Sequence, residues 1–165
     1  MDPVLVKSSR EELTQALGRI PASLYILTAR YQQRKRGVLV SWVQQAAMEP
    51  PTVLVALPKG RSIIPLMHES HHFALCQITR DDKLSLKKFS SPAADDNPFE
   101  GLETIKGVTG APIIATSMSY VECELIRHVD FEADHDLYVG RVIDGKVLRP
   151  DLEPTTLQRR EGMKL

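Results

Sequence analysis

The chain has 165 residues, enough for one well-formed core. Its 21 basic and 21 acidic residues cancel, so no whole-molecule field draws it to nucleic acid or to an anionic membrane. Residues 1–10 lack the apolar segment of a signal peptide and no apolar run reaches bilayer length, so the expectation is a soluble, cytoplasmic protein.

Ser9 followed three residues later by Glu12 has capping-box spacing and predicts a helix to Gly18, with Leu13 and Leu17 on one face. Pro21 separates it from a strand over 24–29. The polar stretch 31–36, carrying Arg34, Lys35 and Arg36, reads as a solvated hairpin tip. The apolar run 38–43, broken by Ser41, suits a strand buried on both faces. It passes through a polar turn at Gln44-Gln45 to Pro50-Pro51, where the chain must leave the sheet, because adjacent prolines fit neither a helix nor a central strand. A second strand over 52–57, a loop from Pro58 to Ser62 and a short helix from Ile63 to about Glu69 follow, with Ser62 as the helix cap.

Residues 73–78 read as a strand and 81–88 as a short polar helix with Leu84 turned inward. Residues 89–101 are irregular, since Pro92, Asp95, Asp96, Asn97 and Pro98 preclude a long element. Residues 112–115 form a short strand. Residues 120–129 alternate, with Val121, Cys123 and Leu125 on the core face and Glu122 and Glu124 opposite. A strand over 136–143 leads to a hairpin turn at Asp144-Gly145, and the polar tail carries Arg159 and Arg160. Cys76 and Cys123 lie in apolar runs without C-x-x-C spacing, which predicts buried, reduced thiols. Many short strands, few helices and no repeat argue for one domain over 1–165, mainly β, closed or nearly closed as an antiparallel barrel with peripheral helices.

Two stretches carry chemistry. In the loop before the second helix, Lys59 and Arg61 stand beside Ser62 and unpaired helix-start N–H groups, a combination suited to a phosphate. His68-Glu69-Ser70-His71-His72 contains H-E-x-x-H, a zinc-hydrolase signature. That chemistry needs one continuous helix and a third ligand. A strand starting at Phe73 leaves His72 beyond the helix, and no spacing selects His128 or Glu122 as the third ligand, so the zinc hydrolase is the discounted alternative.

The blocks GVLVSWVQQAAMEPP, LPKGRSIIPLMHES, FSSPAADDNPFEG, GAPII, YVECEL and DHDLYVGRV stand in one order from roughly Leu17 to Val142. In that order they resemble the flavin-reductase-like family of FMN-binding split barrels, above all the flavin-reductase modules fused to flavodiiron proteins. The resemblance implies an antiparallel split β-barrel of Greek-key type. It implies FMN as cofactor, with FAD as the second option, NAD(P)H as transient co-substrate, a homodimer and a redox partner protein. It assigns Ser41, Trp42, Val43, Gln44, Gln45 and Ala46 to the flavin ring and ribityl chain, and Lys59, Arg61 and Ser62 to the phosphate. Phe89 and Ser90 become edge contacts, and His135, opening the last block, lies near the reactive side. This chain departs from the common pattern where Val40-Ser41-Trp42 replaces V-S-S and Gln44-Gln45 replaces hydroxyl residues. FMN binding survives that departure better than free-flavin reduction does. The implied activity is a reductase passing electrons from NAD(P)H through flavin to free flavin or another acceptor. The alternative is an FMN-binding electron-transfer protein without its own NAD(P)H turnover. No G-x-G-x-x-G follows a strand, so no Rossmann nicotinamide domain is expected.

Overall fold

The computed structural model describes residues 7–91 and 97–157. Pro92, Asp95 and Asp96 of the irregular stretch, and Arg159 and Arg160 of the tail, lie outside them. The chain divides into two compact units, Ser23–Thr155 and the terminal segments Met1–Ala22 with Thr156–Leu165. In the terminal unit α1 (Arg10–Gly18) begins at the predicted capping box. The Glu12 N–H donates to Ser9 Oγ at 3.2 Å, and the Ser9 N–H donates to Glu12 Oε2 at 2.7 Å. Ala22 and Leu157 pair in an isolated bridge.

The larger unit runs β1 (Leu24–Tyr31), β2 (Arg34–Val40), β3 (Val43–Met48), β4 (Pro51–Pro58), α2 (Ile63–Ser70), β5 (His72–Ile78), α3 (Lys83–Phe89), β6 (Thr104–Lys106), β7 (Pro112–Ile114), β8 (Ser119–Asp130) and β9 (His135–Val147). Seven strands form one antiparallel sheet in the order β2-β1-β5-β8-β9-β4-β3, and β6 pairs with β7 apart from it. The return of β5 beside β1 is a Greek-key connection.

Edge strands β2 and β3 are consecutive in the chain, joined only by Ser41 and Trp42. A flat seven-stranded sheet would separate its edges by about 29 Å at ordinary strand spacing. The link from Val40 to Val43 reaches about 11 Å at most. The sheet must therefore curl until its edges approach, although β2 and β3 form no ladder: the barrel is split. Its core holds Leu27, Val40, Val55, Leu57, Phe73, Leu75 and Tyr138 from the strands, and Ile63, Leu66 and Met67 from one face of α2. Each such apolar side chain contributes about 1.5–3 kcal/mol through burial. Gly140 of β9 is required by this packing, because a Cβ there would stand 2.4 Å from Phe73 Cζ.

Several sequence expectations change. The run 38–43 is two strands rather than one, since Ser41-Trp42 is where the chain crosses between edges. Gln44 and Gln45 lie within β3, not in a turn. Arg34, Lys35 and Arg36 open β2, and the hairpin tip is Gln32-Gln33. Asp144-Gly145 is no turn: β9 runs through it because β8 is long enough to pair all the way, with Ile143 left over as a bulge. Leu84 is 49% exposed while Ser85 and Phe89, four residues apart, form the buried face of α3.

Candidate functional site

The site is built where β2 gives way to β3. Ser41 is buried, and its Oγ has no hydrogen-bond partner, an arrangement that costs free energy unless something else completes it. The next residue, Trp42, is held by its carbonyl, which accepts the Ala56 N–H at 3.0 Å. Its half-exposed indole lies 4.7 Å, centroid to centroid, from the His135 ring at an interplanar angle of 45°. His135 reaches that position as the first residue of β9, opposite Pro58 at the end of β4. Its Nδ1 is 3.0 Å from Asp134 Oδ1, a hydrogen bond that holds the Asp134 carboxyl below the usual carboxylate range. With the proton on Nδ1 donated to Asp134, Nε2 is left as an acceptor.

Beside this rim opens a cleft of about 430 Å³, lined by Gly37 and Val38 of β2, residues 58–62, Ile63 of α2 and Ser91. Gly60 turns the loop at φ 79°, a left-handed conformation that favours glycine. Arg61 is half-buried and forms no ion pair with any described residue. Ser62 occupies the cap position of α2, but its hydroxyl makes no capping bond because its backbone is already helical. Lys59 is differently engaged. Its Nζ donates to Asp130 Oδ1 at 2.9 Å and lies 3.5 Å from Asp136 Oδ1, and the Asp130 bond raises the ammonium pKa above the usual lysine range. At 3.5 Å the second approach is electrostatic, so Asp136 Oδ1 still lacks a hydrogen-bond donor.

The structure brings Ser41, Trp42, Lys59, Arg61, Ser62 and His135 to one end of the barrel, at the edge crossing and the β4–β9 end. It places the other expected residues elsewhere. Val43 packs on the core. Gln44 and Gln45 are exposed on the edge strand, their amides donating to the carbonyls of Gln45 at 3.2 Å and Ala47 at 3.4 Å. Ala46 is the extra residue of a bulge. Phe89 is 1% exposed and packs on Phe99 with ring centroids 5.3 Å apart, so it is core rather than an edge contact. Ser90 is exposed and ends α3, its N–H donating to Leu86 O at 3.1 Å. Ser91, its neighbour, lines the cleft instead; only the polarity of the stretch hinted at it.

The H-E-x-x-H residues divide between elements. α2 ends at Ser70, His71 is the left-handed C-cap at φ 56°, and His72 begins β5, so His68 and His72 share no helix face. His68 instead sits 5.2 Å from the His128 ring, and burial together with that neighbour holds its pKa down. His128 stacks on Tyr138 at 4.6 Å, and its Nε2 lies 2.9 Å from Asp136 Oδ2. Tyr138 is fully buried, which pushes its phenol up to about 12. This cluster escaped the sequence reading, because only the register of the β8–β9 ladder, pairing His128 with Tyr138 and Asp130 with Asp136, assembles it.

A curled antiparallel sheet with a basic cleft beside its edge crossing agrees with the fold implied by the sequence blocks, and the flavin reductase-like domain matches residues 17–164. The chain belongs to the flavin reductase-like domain family. That places it among flavin-handling oxidoreductase domains. It is 34% identical over 151 residues to diflavin flavoprotein A 1 of Synechocystis sp. (strain PCC 6803), covering 88% of this chain and 26% of the relative. The chain thus spans about a quarter of the length of the curated relatives it matches. Among solved structures, the NADH:FAD oxidoreductase SgcE6 of Streptomyces globisporus C-1027 aligns with a TM-score of 0.79 at 22% identity, covering 94% of this chain and 93% of the other. The flavin reductase HpaC complexed with NADP+ aligns with a TM-score of 0.77 at 23% identity, covering 92% and 95%. At those identities the two structures establish the fold, a split barrel.

Proposed function

We propose that this domain binds FMN at the Ser41–Trp42 rim with the phosphate in the Arg61 loop, and that NAD(P)H reduces the bound flavin there. The observation that carries the reading is the buried Ser41 hydroxyl with no partner. A polar atom withdrawn from water and left unpaired is a place for a ligand atom. The adjoining cleft supplies a half-buried guanidinium without a carboxylate partner among the described residues. Bound FMN supplies acceptance of a hydride and release of electrons. The protein's part is placement. Arg61 and the Ser62 hydroxyl hold the phosphate, Ser41 completes its hydrogen bond at the polar edge of the ring, and Trp42 flanks the ring. His135 Nε2, an acceptor while Asp134 holds Nδ1–H, orients the nicotinamide carboxamide by taking its N–H. FMN rather than FAD, a homodimer and a cytoplasmic location complete the proposal.

Soaking the protein in FMN, desalting it and mixing it anaerobically with NADH and NADPH tests the reading. A retained flavin spectrum that bleaches is expected. In Arg61→Ala the FMN Kd should rise about 10-fold or more, the loss of a charge-assisted contact. In His135→Ala FMN should stay bound while reduction slows. Unchanged affinity in the first variant removes the phosphate site, and an unchanged rate in the second removes the role of His135. A second reading is a flavin-bearing electron carrier that takes electrons from a protein donor. It is supported by the much greater length of the diflavin relatives, whose remaining parts could include that donor or the acceptor. A flavin spectrum that is retained but stays yellow with both nucleotides favours it.

A further inference from the structure

We propose that Lys59, which the sequence offers as a phosphate ligand, is instead a positioning residue that holds His135 in register with Trp42. The inference rests on the reading of His135 given above. Lys59 fastens the cleft loop to both sides of the four-residue tip, residues 131–134, that joins β8 to β9. Its N–H donates to Asp134 O at 3.0 Å, and its Nζ donates to Asp130 Oδ1 at 2.9 Å while approaching Asp136 Oδ1 at 3.5 Å. His135 lies between Asp134 and Asp136, so both of its chain neighbours are held by the same lysine. Pro58, the ladder partner of His135, has no N–H to give. The main-chain bond from Lys59 therefore closes this end of the β4–β9 pairing.

The far side of the clamp is anchored as well. Asp130 Oδ1 also accepts the Glu132 N–H at 2.7 Å within the tip. Asp136 Oδ2 is 2.9 Å from His128 Nε2, and His128 stacks on the fully buried Tyr138. Charge argues the same way. A phosphate reaching for Lys59 must compete with two carboxylates already beside it, whereas Arg61 carries no such competition from the described residues.

Trp42 is the single tryptophan, so its fluorescence reports the contact with His135 in the flavin-free protein. A protonated imidazole against an indole quenches its emission, so acidification should dim wild-type Trp42, and His135→Ala should abolish that dimming. Lys59→Met should lose the acid quenching as His135→Ala does, and Asp130→Asn should lose part of it. Lys59→Met should also bind FMN within about 3-fold of wild type, against the roughly 10-fold loss in Arg61→Ala. Reduction by nicotinamide should slow in Lys59→Met, and the Lys59→Met/His135→Ala double variant should be no slower than His135→Ala alone. Full quenching in Lys59→Met, multiplicative rates in the double variant, or an FMN loss matching Arg61→Ala would each overturn the proposal. Wild-type emission that follows acid no differently from His135→Ala would overturn it too. If His135→Ala leaves reduction unchanged, the catalytic reading of His135 fails, while the flavin-free emission still decides whether Lys59 positions it.

Discussion

The two ends of the β8–β9 ribbon use the same residue types for opposite purposes. At one end Glu122 is fully buried, and its carboxylate accepts the Val108 N–H at 3.0 Å, the Thr109 N–H at 2.8 Å and the Thr109 hydroxyl. A Cβ on Gly107 would collide with that carboxylate, so the loop closes tightly over it. Cys123 beside it and Cys76 on β5 are buried thiols, as expected. At the other end Asp130 and Asp136 divide one lysine between them beside His135, and the neighbouring rim leaves Ser41 without a partner. Where the protein satisfies a buried polar group from its own main chain, the group holds the fold. Where it leaves one unsatisfied beside the cleft, as at Ser41, the proposed flavin is the partner that would complete it. Residue type does not distinguish the two ends; accounting for every hydrogen bond does.

The sharpest way to break this contrast is Glu122→Ala. It orphans two main-chain N–H groups and should cost about 3–5 kcal/mol in urea unfolding. A loss below about 1 kcal/mol would mean that water reaches the loop and that the dry end is not dry. Phe89→Ala should cost about 3 kcal/mol through the cavity it leaves, with FMN affinity changed far less than in Arg61→Ala. A large affinity loss at unchanged stability would return Phe89 to the site. Ser41→Ala sharpens the other side. Removing an unpaired hydroxyl should leave flavin-free stability within about 0.5 kcal/mol, while FMN Kd rises about 5-fold, the worth of one hydrogen bond. Stability lost without any change in Kd would make Ser41 a structural residue.

The smallest effect concerns the thiols. Burial pushes Cys76 up to about 11 and Cys123 up to about 12 from 9.0. Neither should react with a disulfide reagent at pH 8 until the chain unfolds. The sign of their pH dependence follows from the raised values. Below pH 9 both thiols are protonated in either state and their contribution to stability is complete. Above it they ionise first in the unfolded chain, so that contribution is lost as pH rises from 9 through about 11 and then about 12. Native-state labelling at pH 8 would show that this seam opens locally.

Apolar runs punctuated by proline and capped by Ser9 or by glycine made α1, β1, β4, α2 and β5 legible in the chain, whereas the edge crossing at Ser41 was hidden inside what reads as one strand. Ordered blocks along most of its length made the split barrel and the family legible too. These are local or pattern-level properties: a period of two, a cap three residues from its partner, a proline that cannot donate. The tertiary structure alone decided that Glu122, placed on the solvent side by alternation, is covered by the 107–109 loop. It alone drew β9 straight through Asp144-Gly145, where Gly145 is needed because a Cβ would stand 2.8 Å from Tyr120 O. It also engaged Lys59, at the cleft wall, with two carboxylates that lie 71 and 77 positions along the chain. Such outcomes depend on which distant segment arrives opposite a residue. Strand register sets that, and no window of neighbouring residues contains it.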